Sequence, residues 1–162
     1  MQRSLALRKN TLIPWLLLSL SGWLMAADAK PNLSGAWKLN VGKSDFGPLP
    51  GPTSRTLKID HEDPSLKIAV TEVKQQGEVS YQASYTTDGK ENVNTNRGNT
   101  FRSKLKWDGD VLVIETKGTF AGGEVTARDK WTLSDGGKTL TIERHLASEM
   151  GEVDQKLLLE KE

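Results

Sequence analysis

Two oppositely charged residues, Asp129 and Arg144, stand in segments where they share a face with apolar side chains. A guanidinium can hold a carboxylate, from the protein or from a bound acid, through two parallel hydrogen bonds. A buried charge without a partner is strongly unfavourable, so both residues need one. Further polar residues that could join them are Glu72, Glu115 and Gln155. The chemistry indicated is recognition of a polar group inside an apolar interior.

Aromatic residues on the same predicted faces are candidates for the walls of a ligand cavity. These residues are Tyr81, Tyr85, Phe101, Trp107 and Trp131. Together with an arginine and a carboxylate, they suit a small hydrophobic or amphipathic ligand whose tail lies against the rings. The alternative is a barrel filled by its own side chains, in which the aromatic residues are core.

Catalytic and metal-binding patterns are weak in this sequence. Asp129 and Glu115 would form a paired-carboxylate hydrolase site only if they face each other across neighbouring strands. His61 and His145 are far apart in a chain without cysteine and do not predict a zinc site, and His145 is expected on a solvent face. Nucleophile-elbow and phosphate-loop motifs are missing from the sequence. We therefore predict a protein that is not an enzyme, with no metal and no cofactor.

The elements that must position these residues are β-strands. Between turn signals spaced about eight to twelve residues apart, side chains alternate in polarity with a period of two. This pattern over about eight to ten consecutive strands predicts an all-β fold, a single antiparallel up-and-down barrel, with a sandwich as the alternative. The turn signals are Asp63-Pro64-Ser65, Gln76-Gly77, Asp88-Gly89, Asp108-Gly109, Gly122-Gly123, Asp135-Gly136-Gly137 and Gly151.

Two segments depart from simple alternation. The run from Val111 to Ile114 is apolar on both faces, which predicts cover by a loop or contact with another chain. The segment from Glu152 to Glu162 fits a helix or a strand. Alternation of its inner residues favours a closing strand. These residues are Val153, Gln155, Leu157 and Leu159.

The beginning of the sequence has the pattern of a secretory signal peptide. Arg3, Arg8 and Lys9 precede an apolar run that ends in small residues, and cleavage after Ala29 fits an Ala-x-Ala site. We expect residues 1–29 to be removed and residues 30–162 to form the barrel domain, periplasmic or secreted. The alternative is an uncleaved membrane anchor.

Composition limits the partners. The chain has 162 residues, with 22 Lys and Arg against 21 Asp and Glu, so it lacks the basic surface that nucleic acid requires. Without cysteine it can form no disulfide and carry no lipoprotein lipid. We therefore expect no nucleic acid partner and, after signal cleavage, no membrane partner. The oligomeric state is left open.

A short motif gives a family resemblance. The stretch Gly35-Ala36-Trp37-Lys38-Leu39 resembles the first strand of the calycins, the group of the lipocalins and the fatty-acid-binding proteins. Residues 107–115 and 135–141 resemble hairpins of that group, and residues 30–162 resemble small exported lipocalin-like bacterial proteins. The chain lacks the Thr-Asp-aromatic motif of lipocalins and the helical lid of fatty-acid-binding proteins.

The resemblance implies roles for two residues. Trp37 would plug the floor of the barrel. Arg144 would be either a ligand-carboxylate anchor, as in fatty-acid-binding proteins, or a cation packed across Trp37, as in lipocalins.

The loop from Gly42 to Ser54 carries Phe46 among three prolines. A lid needs an apolar tip and few conformations, and this loop has both, so Phe46 would be the tip of a lid or part of a rigid crossing.

Two functional hypotheses follow from these patterns. The first is non-catalytic binding or carriage of a small hydrophobic or amphipathic ligand inside the barrel. The second is a filled barrel that acts as an extracytoplasmic interaction module, with Val111 to Ile114 as a contact edge.

Overall fold

The computed structural model of the protein describes residues 29–120 and 122–162, so the predicted signal peptide lies outside the described residues apart from Ala29. The described residues form ten strands and one short 3-10 turn, Val41–Lys43. The strands are β1 (Gly35–Leu39), β2 (Ser54–Glu62), β3 (Ser65–Lys74), β4 (Gly77–Thr86), β5 (Asp88–Asn96), β6 (Asn99–Asp108), β7 (Val111–Phe120), β8 (Gly123–Ser134), β9 (Thr139–Ser148) and β10 (Gly151–Lys161).

Antiparallel pairing joins the strands into a nearly closed barrel. Strands β2, β3 and β4 lie side by side in chain order, as do β5 to β10. β1 lies between β2 and β10 and joins the two groups. This confirms the prediction of a single antiparallel up-and-down barrel. Within the described residues, no helix has the length and apolar character that crossing a membrane would require.

β4 and β5 are the two edge strands of the sheet, and no ladder of backbone hydrogen bonds joins them. Asparagine side chains bridge this gap. The amide of Asn94 accepts from Ser84 N at 2.9 Å and donates to Ser84 O at 3.0 Å. Asn92 makes the same two contacts with Thr86, at 2.8 and 3.3 Å. Each asparagine thus takes the place of one backbone pair in a ladder.

The predicted inward faces are apolar in the structure and form one core. Trp37, Leu66 and Leu105 are fully buried near the barrel end at which β1 begins. Trp37 Nε1 donates to Leu33 O at 2.9 Å, which satisfies the one polar atom of its ring. β10 is a strand throughout, as the alternation of its residues predicted.

The doubly apolar run in β7 lies inside the sheet, between β6 and β8. Leu112 and Ile114 point into the core, while Val113, on the outer face, is only 4% exposed. Its cross-strand neighbours on that face are Lys106 and Lys130, whose aliphatic stems can cover it. Because β7 is paired on both sides, the predicted contact edge is wrong.

Candidate functional site

The barrel interior contains a cavity of about 320 Å³. Every described strand except β1 contributes to its wall, with apolar residues in the majority. The cavity lies beside the close-packed core around Trp37, so one part of the interior is filled and another is hollow. Its polar wall residues come mainly from β2, β4, β5, β8 and β9.

The central polar feature of the cavity wall is an ion pair between Asp129 and Arg144. The two residues are direct cross-strand partners on β8 and β9. Arg144 Nε donates to Asp129 Oδ1 at 2.8 Å, and Nη2 donates to Oδ2 at 2.6 Å. The side chain of Arg144 is 24% exposed and that of Asp129 is 8% exposed. The charge of Asp129 raises the pKa of Arg144 above its ordinary value despite burial, so the guanidinium keeps its charge.

A second ion pair stands at the edge of the cavity, between Arg55 and Glu72 on β2 and β3. Both Nε and Nη2 of Arg55 donate to Glu72 Oε2, at 3.2 and 2.7 Å. Lys74 Nζ lies 3.1 Å from Glu72 Oε1. Burial opposes ionisation of Glu72, but the charge and hydrogen bonds of Arg55 and Lys74 outweigh it and lower the pKa of this carboxyl.

Aromatic rings complete the wall. Tyr81, Tyr85, Phe101 and Trp131 all line the cavity, together with Asp129 and Arg144. Burial, with the nearby Tyr81 and Asp129, raises the pKa of Tyr85 to about 12, so its hydroxyl stays protonated. Trp131 Nε1 is buried and has no hydrogen-bond partner within the described part of the chain.

Two predicted ligand residues lie elsewhere. Trp107 is near the end of β6, at the filled end of the barrel, where its Nε1 donates to Asp63 Oδ1 at 2.9 Å. Its ring stands 5.8 Å from that of the buried His61. Trp107 follows the inward alternation of β6, but it lies beyond the hollow part of the interior and packs, partly buried, against the core.

Phe46 is also outside the cavity wall. The loop between β1 and β2 is held along β10, where Asp45 and Lys156 exchange backbone hydrogen bonds of 2.7 and 2.8 Å. The predicted interior residue Gln155 is engaged by the same loop, since its Nε2 donates to Phe46 O at 3.1 Å. The Phe46 ring packs over Gly51 and against the core from outside, which suits a rigid crossing.

The cation over Trp37 is Lys161, with Nζ 5.3 Å from the ring centroid. The predicted contact of Arg144 with Trp37 is therefore wrong. The physical reason is register: Trp37 and Lys161 are direct partners on β1 and β10, whereas Arg144 is held by Asp129 on β8.

The predicted pair of Asp129 and Glu115 is also wrong. Asp129 pairs across the strands with Ile114, so Glu115 points to the opposite face. Its side chain is 55% exposed and lies 3.7 Å from Arg128. The two carboxylates are thus on different sides of the sheet, and a paired-carboxylate site is not formed.

The histidines are separated as the sequence indicated. His145 has a 46% exposed side chain and lies 2.8 Å from Asp154 on the outer face. His61 is buried at the filled end, where its Nδ1 accepts from Leu33 N at 3.2 Å. Residues 29–120 and 122–162 hold no cluster of three or more side chains suited to a metal ion.

Sequence reasoning missed six polar residues of the wall, which are Arg55, Gln82, Asn94, Asn96, Thr116 and Thr126. The signal for Arg55 was available, because it lies two residues before Leu57 on the same strand face. Asn94 and Asn96 gave no such signal, since β5 is polar on both faces and lacks apolar alternation.

Comparisons with known proteins place the fold. No protein-family model and no curated protein sequence matches the chain. A secretory abundant heat soluble protein from Ramazzottius varieornatus superposes with a TM-score of 0.59 at 14% identity, covering 80% of this chain and 94% of that one. Zebrafish ileal bile acid-binding protein complexed with cholic acid gives 0.56 at 13% identity, with 80% and 98% covered.

The fatty-acid-binding protein of Manduca sexta gives a TM-score of 0.52 at 17% identity, covering 80% of this chain and 99% of that one. Identities this low show the fold alone. The chain thus has the fold of the fatty-acid-binding-protein and lipocalin-like calycin barrels, as its first-strand motif predicted.

Proposed function

We propose that the protein binds a small hydrophobic or amphipathic molecule, without catalysis, inside its barrel. The observation that carries this proposal is the cavity of about 320 Å³, lined mainly by apolar and aromatic side chains. Ligand cavities in proteins begin at about 300 Å³ and combine apolar walls with a few placed polar groups. A barrel built only as an interaction module would gain stability by filling this space.

Structural neighbours support the same ligand class. One of them is bound to cholic acid, and another is a fatty-acid-binding protein. Both ligands are amphipathic and of low molecular mass. The polar groups of this cavity, the ion pair Asp129–Arg144 and the Tyr85 hydroxyl, are engaged or held in one protonation state, which suits binding better than proton transfer.

Filling the cavity tests the proposal. Native mass spectrometry of protein purified from its own host, before and after unfolding, would detect a co-purified ligand. A cavity-filling variant, Ala127→Phe, should lose that ligand, while the matched variant Thr132→Phe, on the outer face of the same strand, should keep it. Ala127 lines the cavity and Thr132 is exposed. A wild-type protein with no bound mass and no uptake of dodecane, dodecanol or dodecanoate would favour the filled-barrel module instead.

We also propose that the protein is exported and processed. The support is the basic residues, apolar run and Ala-x-Ala site of residues 1–29. Amino-terminal sequencing of protein from its own host should give Lys30 as the first residue. A sequence that begins within residues 1–10 would instead favour an uncleaved anchor.

A further inference from the structure

The cavity arginines are already neutralised by protein carboxylates. Arg144 uses Nε and Nη2 on the two oxygens of Asp129, and Arg55 uses the same two atoms on Glu72. The additional positive charge near this wall is on Lys74, whose side chain is 49% exposed and bound to the other oxygen of Glu72. Both arginines that line the cavity in the described part of the chain are therefore paired with protein carboxylates.

A carboxylate ligand would meet an unfavourable environment. To form a two-bond pair with Arg144 it would have to displace Asp129, whose side chain is only 8% exposed and would then be buried without a partner. If it bound without displacement, it would lose its hydration and stand beside the charge of Asp129. In either case one negative charge beside Arg144 lacks a counter-ion.

A neutral oxygen atom meets a favourable environment. It needs only one N–H or O–H donor, and wall residues carry donors that no carboxylate occupies. Nη1 of Arg144 takes no part in the bonds to Asp129. Tyr85 lines the same cavity, and its hydroxyl is protonated. A hydroxyl or carbonyl oxygen can accept from these groups without disturbing either ion pair.

We propose that the cavity selects neutral amphipathic molecules, with an apolar chain or ring system and a hydroxyl or carbonyl head, and discriminates against ionised carboxylates. This inference rests on the proposed function, because it names the ligand class of the same cavity. The specificity-determining residue is Asp129, which occupies the position on Arg144 that an acid would need.

A matched ligand series tests the proposal. Calorimetric titration with dodecane, dodecanol and dodecanoate at neutral pH varies only the head group. We expect dodecanol to bind at least about tenfold more tightly than dodecanoate, a difference of about 1.4 kcal/mol. Dodecanoate binding as tightly as dodecanol would overturn the selectivity and leave the proposed function standing. Failure of all three to bind would count against the proposed function itself.

The variant Asp129→Asn tests the assignment of Asp129 as the specificity-determining residue. It removes the competing charge and frees Arg144, so dodecanoate should bind at least about tenfold more tightly than to the wild type. The matched control, Asp60→Asn, removes the same charge from an exposed position on β2 and should leave the affinity for dodecanoate unchanged. Unchanged dodecanoate affinity in folded Asp129→Asn would overturn the assignment.

A measurement on the unaltered protein covers the case in which Asp129→Asn does not fold. If only the protonated acid enters, the apparent affinity for dodecanoate should rise about tenfold for each pH unit of acidification above the ordinary carboxyl pKa. Dodecanol, measured over the same range, controls for changes in the protein. An affinity for dodecanoate that is independent of pH would overturn the proposal.

Discussion

At the scale of residues, the arrangement of the barrel interior depends on which residues its charged side chains pair with. Period-two alternation placed Asp129 and Arg144 inside, but alternation says only which face a side chain is on. Their partnership depends on the register of β8 and β9, which brings the two residues directly opposite. For Trp37 the decisive neighbour is Lys161, near the other end of the described chain, and no local pattern points to it.

Removing one partner of the Asp129–Arg144 pair should be costly. The variant Arg144→Met would leave a buried carboxylate uncompensated, and we expect a loss of about 3 kcal/mol in the free energy of unfolding. Urea unfolding of the purified protein measures this. The double variant Asp129→Leu with Arg144→Met should recover most of the loss, because it removes both charges.

The matched control is Arg128→Met, whose side chain is 58% exposed and should cost no more than about 0.5 kcal/mol. An equal loss in the single and double variants would show that Arg144 stabilises the barrel by packing rather than by pairing with Asp129.

At the scale of elements, β5 is a strand that apolar alternation does not predict. β5 has only one apolar residue in its inner sequence, Val93, and this residue is 54% exposed. Whether this segment forms a strand depends on the turn that follows it, where Arg97 and Gly98 both have positive φ, at 50° and 78°. Such a pair is typical of a two-residue hairpin, but Arg97 is an unusual residue for it. The strand is polar because its side chains, rather than its backbone, close the barrel against β4.

The asparagine bridge between β4 and β5 should control local opening of the barrel. In Asn94→Ala, Ser84 loses both bonds to the missing amide, so its N–H should exchange with solvent at least about tenfold faster. Amide exchange followed by NMR measures this residue by residue. Thr95→Ala, on the exposed face of β5, is the matched control and should leave Ser84 unchanged. Equal exchange in both variants would show that the gap is closed by other contacts.

At the scale of the whole molecule, the barrel architecture could be predicted from the sequence, but the presence of an internal cavity could not. Closure follows from consecutive amphipathic strands joined by tight turns, whatever the individual residues are. Whether the interior is filled depends on the summed volumes of many inward side chains at a particular strand stagger. Trp107 and Trp131 illustrate this: both alternate inward, yet Trp107 belongs to the packed end and Trp131 to the cavity wall.

The pairing of β1 with β10 also has a consequence for folding. The barrel cannot close until Trp37 and Leu39 meet Lys161 and Leu159, residues separated by almost the whole described chain. Contacts between residues so far apart in sequence form slowly, because the loop between them must be closed before the contact is gained. The apolar faces of the intervening strands stay exposed until this pairing forms, and binding of any ligand inside the barrel must follow it.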